Sequence, residues 1–304
     1  MSSPRFVVVG EALVDVVVPR EGRPAHAPGG SPLNVAVGLA RLGVDTVLMT
    51  ELGDDAYGDL VLDHLTASGV ALHEGSVVPG STTSTATATL DEHGAAAYSF
   101  DLRWTLGPRN LPPDSTGLHV GSLGAALRPG RTGVLGLVDQ AVERGVLVTF
   151  DPNARPVLTP DAEPAWRDVR ELGEAADIVK LSDEDVAFLR PGAAPTDVAR
   201  SLLTGRTRLV VVTAGGTDAL AVSAEGQVSV RSRATDVVDT VGAGDSFMSA
   251  LVAVALEHGL DDLHADRVAG YLHAAHAAAA ITVSRRGADP PRRTEVPRDW
   301  PALG

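Results

Sequence analysis

Six short runs rich in β-branched residues recur along the chain, RFVVVG, TVLMT, LHV, VLVTF, DIVKL and RLVVVT, with longer stretches of helical periodicity between them. A strand covered by helices on both faces is apolar throughout, so runs of this kind predict the central strands of a mainly parallel sheet. The implied fold is α/β and doubly wound, with helices near residues 32–43, 55–68, 131–144, 163–175, 183–190, 196–204, 243–258 and 264–283. Two segments break the alternation. One is 11–18 (EALVDVVV); the other is 70–100, where TTSTATATLDEHGAAAYSF shows period-two patterning around a turn signal at Asp91 to Gly94. These segments, with the second extended to 104, predict a small β lid inserted in one domain spanning 1–304. Residues 218–231 read as a further hairpin turning at Glu225 and Gly226. No repeat or low-complexity linker divides the chain.

Composition narrows the function. Against 25 Lys and Arg stand 39 Asp and Glu, a formal charge of −14, which argues against a nucleic-acid or anionic-membrane surface while leaving a small anionic substrate open. No run approaches the roughly 18 apolar residues of a membrane span, and the start has neither a basic region nor a cleavage signal, so a cytoplasmic location is expected. With no cysteine, disulfides, thiolate metal sites and cysteine nucleophiles are excluded. Lys180 is the only lysine, and it does not stand between Gly and Ser/Thr, so no Walker-A loop is present.

The segment DTVGAGDSFMSALVAVAL, Asp239 to Leu256, carries the strongest chemistry. Gly242, Ala243 and Gly244 leave backbone N–H groups unobstructed just before a helix, whose positive dipole end favours an anion. Asp245 then puts a carboxylate in the first turn, where it can accept a hydroxyl proton while the amides stabilise a transferring phosphoryl group. An aspartate that only complements the helix dipole is the competing explanation. The preceding Gly-Ala-Gly and the second aspartate six residues earlier favour chemistry. A second segment, GGSPLNVAVGLARLG, Gly29 to Gly43, has Ser31 suited to capping a helix and Pro32 to its first turn. Gly29 and Gly30 permit close approach of a ligand, and Asn34 offers both donors and acceptors to hydroxyl groups. A capped helix behind a glycine turn explains the same residues without a ligand.

Together these segments resemble the two signatures of the ribokinase-type (PfkB) carbohydrate kinases. The resemblance runs over nearly the whole chain: VVGEALVD, GDDAYG, GSLGAALRPG, FDPNARP, KLSDED, VTAGGTDAL and HAAAAITVSRRGADPP follow in order. GEALVD, FDPNARP and RRGADPP are most similar to the fructokinase-like branch. The resemblance implies a ribokinase-like fold, Asp245 as catalytic base, and Gly242 to Gly244 as an anion hole. It implies sugar binding by Asp15, Gly29, Gly30 and Asn34, with Arg155 meeting substrate or phosphate. For ATP it implies the loop from Thr213 through Gly215 to Asp218, where Asp218 replaces the usual glycine, together with Gly244 and His276 beside the adenine. Ser182 and Asp185 stand in place of the family's Asn-x-x-Glu, which arranges Mg²⁺ through water; they equally fit a helix cap. A monovalent cation, K⁺ in many members, would take Asp239 and the carbonyls of Val241, Thr282, Arg285 and Gly287, with Pro291 replacing a serine ligand found in some ribokinases.

The expected activity is transfer of the γ-phosphoryl group of Mg-ATP to a primary hydroxyl of a small sugar. D-fructose is the first choice; 2-keto-3-deoxygluconate, another ketose and ribose are close alternatives, and a nucleoside ranks below them. Arg103 and Trp104 are candidates to close over the sugar. A dinucleotide-dependent oxidoreductase is disfavoured because FVVVG continues as Gly-Glu-Ala-Leu, without G-x-G-x-x-G. A sugar-binding protein that lost transfer is the non-enzymatic alternative, against which the intact GAGD stands. Exposed lid edges leave a homodimer open.

Overall fold

The computed structural model describes residues 5–19, 21–90, 96–232, 236–297 and 300. All six runs form strands of one nine-stranded sheet. In spatial order its strands are Gly226–Arg231, Asp218–Ser223, Leu209–Ala214, Ile178–Ser182, Leu147–Asp151, Ser115–Gly121, Arg5–Val9, Thr46–Met49 and Ala71–Leu72. Pairing is parallel from Leu209–Ala214 to Ala71–Leu72. The expected hairpin adds the two antiparallel strands at the far edge.

Alternation along the first strand shows why both faces are apolar. Phe6 and Val8 pack with helices Ser31–Arg41, Ala243–His258 and Ala265–Val283, whereas Val7 and Val9 pack with Arg131–Glu143, Ala162–Ala175 and Asp183–Leu189. The fold is therefore doubly wound. From its first strand the chain proceeds toward Thr46–Met49 and later returns to Ser115–Gly121 on the other side. That reversal opens a crevice at the carboxyl ends of the two strands, where ligands of such sheets bind.

A separate four-stranded sheet has the order Ala25–Gly29, Leu13–Val18, Ser84–Leu90, Ala96–Asp101. Its extent differs from the expected lid. Ala71–Leu72 belongs to the main sheet, Leu52–Gly53 and Val77–Val78 form a small pair of their own, and Ala25–Gly29 is an additional strand. The turn at Asp91 to Gly94 lies outside the described residues. Trp104 does not reach toward a sugar: it is buried in the core and donates its indole N–H to the Gly124 carbonyl at 2.8 Å. Arg103 donates to Thr82 Oγ1 at 2.9 Å on the surface.

Candidate active site

Two helices set the geometry. In Ala243–His258 the first turn carries Asp245, buried; in Ser31–Arg41 it carries Ser31 and Asn34, also buried. Ser31 Oγ donates to Asp245 Oδ1 at 2.6 Å and Asn34 Nδ2 donates to Oδ2 at 2.8 Å. Four residues further along each helix, Gly38 faces Ser249 so closely that a methyl group on Gly38 would collide with the serine side chain. Contacts one turn apart in the same sense mean that the helices run side by side in the same direction. Both N-termini, each with its positive dipole end, therefore open at one mouth.

Ser31 was expected to cap its own helix. Instead Gly30 holds the cap position with φ 105° and no side-chain cap bond, which frees the serine hydroxyl for Asp245. Only glycine fits there, because a Cβ on Gly30 would lie 2.7 Å from the Glu11 carbonyl oxygen. Gly242 caps the other helix at φ 75°, with the Ala288 Cβ 2.6 Å from where its own would stand. Ala243 and Gly244 complete the amide turn ahead of Asp245.

Of the residues expected on the sugar side, Asp15, in Leu13–Val18, pairs with Ala27 and Ala86 across the smaller sheet, and its carboxylate stands over Gly29 in space that any side chain there would fill. Gly29 leads through Gly30 into Ser31, so one short segment connects the residue beneath Asp15 with the donor to Asp245. Burial pushes the Asp15 carboxyl up and the Arg155 charge opposes it. Arg155 is exposed and folded back on its loop, donating to Asn153 Oδ1 at 2.6 Å and to the carbonyls of Asn153 and Ala154.

Asp185 holds that same loop. Its Oδ1 accepts from Ala154 N at 2.7 Å, while Oδ2 accepts from Ser182 N at 2.7 Å and from Ser182 Oγ at 2.8 Å; Ser182 Oγ in turn accepts from Asp185 N. Ser182 and Asp185 thus form a capping box, and both carboxylate oxygens already have donors. Any contact of this pair with nucleotide is additional to a helix cap and a loop tether.

Of the residues expected to meet the nucleotide, Thr213 stands in register beside Ser182 at the strand ends, Gly215 turns the chain at φ 49°, and Asp218 opens the hairpin opposite Arg231. His276 is buried. Its Nε2 lies 3.2 Å from the Val230 carbonyl oxygen, and its ring meets Phe247 edge-on at 5.2 Å. Burial lowers its pKa, and the Asp218 charge, which opposes this, places the two residues in one neighbourhood. Asp239 accepts from Val241 N at 3.0 Å and Gly287 N at 2.9 Å, joining the segment before one helix to the segment after the other. Thr282 is buried and donates to Ser246 Oγ at 2.8 Å, whereas Arg285 pairs through its side chain with Asp289 and Glu295. Among the described residues no group of three or more His, Asp and Glu side chains converges as a metal site.

Sequence reading did not find Asp151 and Lys180 as part of this site. They form a buried ion pair of 2.9 Å on adjacent strands, with Lys180 Nζ 3.1 Å from where a Cβ on Gly244 would stand. A lone lysine inside an apolar run was the available signal.

The model of the family described as "pfkB family carbohydrate kinase" matches residues 3–295. A fructokinase of Klebsiella pneumoniae is 35% identical over 296 residues, covering 92% of this chain and 94% of the relative. Among solved structures, fructokinase with bound ATP from Xylella fastidiosa superposes with TM-score 0.80 at 25% identity, covering 97% of this chain and 96% of that one. A fructokinase double mutant from Vibrio cholerae O395, bound to fructose, ADP and potassium, gives TM-score 0.80 at 27% identity and 94% coverage of both chains.

Proposed function

Because this chain belongs to the pfkB family of carbohydrate kinases, we propose that it is an ATP-dependent fructokinase whose base is Asp245. The observation that carries this reading is the Asp245 carboxylate, gripped by Ser31 and Asn34 where two helix N-termini meet. Asp15, Gly29, Gly30 and Asn34 bind the sugar, and Arg155 unfolds from its loop to meet substrate or phosphate. A primary hydroxyl then lies against Asp245. As its oxygen attacks the γ-phosphorus, its proton passes to the carboxylate and the bond from that phosphorus to the departing ADP oxygen breaks. The amides of Gly242 to Gly244 face the charge that develops on the phosphoryl oxygens. The contribution of Asp245 is chiefly its position against the hydroxyl.

ATP lies along Thr213 to Asp218 with its base toward His276. Mg²⁺ would come with the phosphates and keep most of its waters, since Asp185, the carboxylate in the position of the family's Asn-x-x-Glu, already has donors on both oxygens. A monovalent cation would be held by Asp239, whose carboxylate joins the segments of Val241 and Gly287 by accepting their N–H groups, together with backbone carbonyls of those segments. The four-stranded sheet acts as a lid, since Leu13–Val18 carries Asp15 and Ala25–Gly29 runs directly into the helix that bears Ser31 and Asn34. Among the described residues its two outer strands each leave one edge unpaired, open for a homodimer.

The names of the relatives, and the fructose in the Vibrio cholerae structure, favour fructose over 2-keto-3-deoxygluconate, ribose or adenosine. ADP release from Mg-ATP across these four acceptors tests the choice. Selective turnover of fructose is expected; selective turnover of another acceptor would replace it.

A further inference from the structure

We propose that Lys180 is a catalytic residue of this transfer, its ammonium reaching a γ-phosphoryl oxygen across Gly244. The inference rests on the kinase reading above and names a group that reading did not use.

Lys180 is the middle residue of Ile178–Ser182, and it is buried. Its strand neighbours Val179 and Leu181 belong to the core on the opposite face of the sheet, so period two turns Lys180 toward the face covered by Ala243–His258. Asp151, at the end of Leu147–Asp151, is turned the same way while Phe150 faces the other core. The two meet at 2.9 Å. Nζ also lies 3.1 Å from the position a Cβ on Gly244 would occupy, which puts the ammonium against the backbone of the anion cradle.

An ammonium has three N–H donors. Among the described residues Asp151 is its single hydrogen-bond acceptor, which leaves two donors without protein partners in a buried position beside a cradle built for an anion. Burial penalises the cation, yet Asp151, Asp185 and Asp245 outweigh it and hold Lys180 protonated. Burial also pushes Asp151 up to about 6 against the pull of Lys180, and at neutral pH it remains ionised. A buried ion pair adds little net stability on its own. The arrangement has a clear use if the spare donors meet a phosphoryl oxygen. Asp151 is then a positioning residue, and its other oxygen accepts from Asn153 N at 3.1 Å, tying the lysine to the loop that bears Arg155.

The test compares wild type with Lys180→Met and with the double variant Lys180→Met, Asp151→Asn, which leaves no unpaired buried charge. In the double variant the thermal midpoint should recover relative to the single variant, and affinities for ADP and fructose should stay near wild type. Its kcat should remain lower by about 100-fold or more, the cost of losing one donor to transition-state charge. A double variant with near wild-type kcat would overturn the inference and leave the kinase reading intact. A wild-type enzyme without sugar-dependent turnover would instead overturn the kinase reading. A measurement without substitutions uses the uniqueness of this lysine. Protein labelled with [¹³Cε]lysine gives one Cε resonance, which should move with a non-hydrolysable ATP analogue and not with ADP. An identical spectrum with and without the triphosphate would overturn the assignment.

Discussion

Ser31 donates its hydroxyl to Asp245 Oδ1 at 2.6 Å, so a residue suited to cap its own helix instead steers the carboxylate at the head of another. Removing this donor leaves Asn34 as the remaining side-chain grip on Asp245. Ser31→Ala deletes one buried charge-assisted hydrogen bond, a loss of about 1–3 kcal/mol. If that loss falls on the oriented state, kcat drops roughly ten- to a hundredfold, with a smaller change in KM for fructose. Steady-state kinetics alongside a thermal melt separate this from unfolding.

Gly38 sets the spacing that makes that grip reach. Gly38→Val pushes Ser249 away and separates the two helices one turn from Asn34 and Asp245. Overpacking of this kind costs about 1–3 kcal/mol. Thermal unfolding should show that loss, and kcat should fall although the substitution touches no ligand.

Glu11 gives stability a pH dependence. Burial pushes its carboxyl from 4.5 up to about 7, against hydrogen bonds from Ser122 and Gly124 and the Arg155 charge. Between these values the folded chain holds a proton that the unfolded chain has released. Stability is therefore highest below pH 4.5 as far as this group is concerned, falls as pH rises to about 7, and is level above. The span is at most roughly 3 kcal/mol. Glu11→Gln should flatten that part of the difference in thermal midpoint between pH 5 and 8; an unchanged slope would show that Glu11 is not its source.

The sheet was legible because burial on both faces demands β-branched runs, and the runs at Phe6, Val47, Val148, Val179 and Val211 all became neighbouring parallel strands. Ala25–Gly29 was not. AHAPG has no β-branched residue, contains Pro28 and is largely exposed, so its pairing with Leu13–Val18 comes from its place before the Gly30 turn. Glycines and acids at helix starts were equally legible, because caps and anion cradles are local. The partners of those acids were not: Ser31 and Asp245 are separated by 214 positions, and Lys180 and Asp151 by 29. Periodicity carries no record of which strand ends become adjacent.

Asp239 links the two segments that would hold a monovalent cation. Turnover in K⁺ should exceed turnover in Na⁺ at equal ionic strength, and Asp239→Ala should abolish the difference. Equal rates in both salts for wild type would argue against a functional cation there.

The most direct test of the central claim is fructose-dependent ADP release from Mg-ATP by wild type and by Asp245→Asn, with fructose affinity measured on both. Wild type should turn over, and the variant should keep its fold and most of its fructose affinity while kcat falls by about 10²–10⁴-fold, the contribution of a positioned base. Near wild-type turnover by the variant would contradict the assignment of Asp245 as the group that takes the hydroxyl proton.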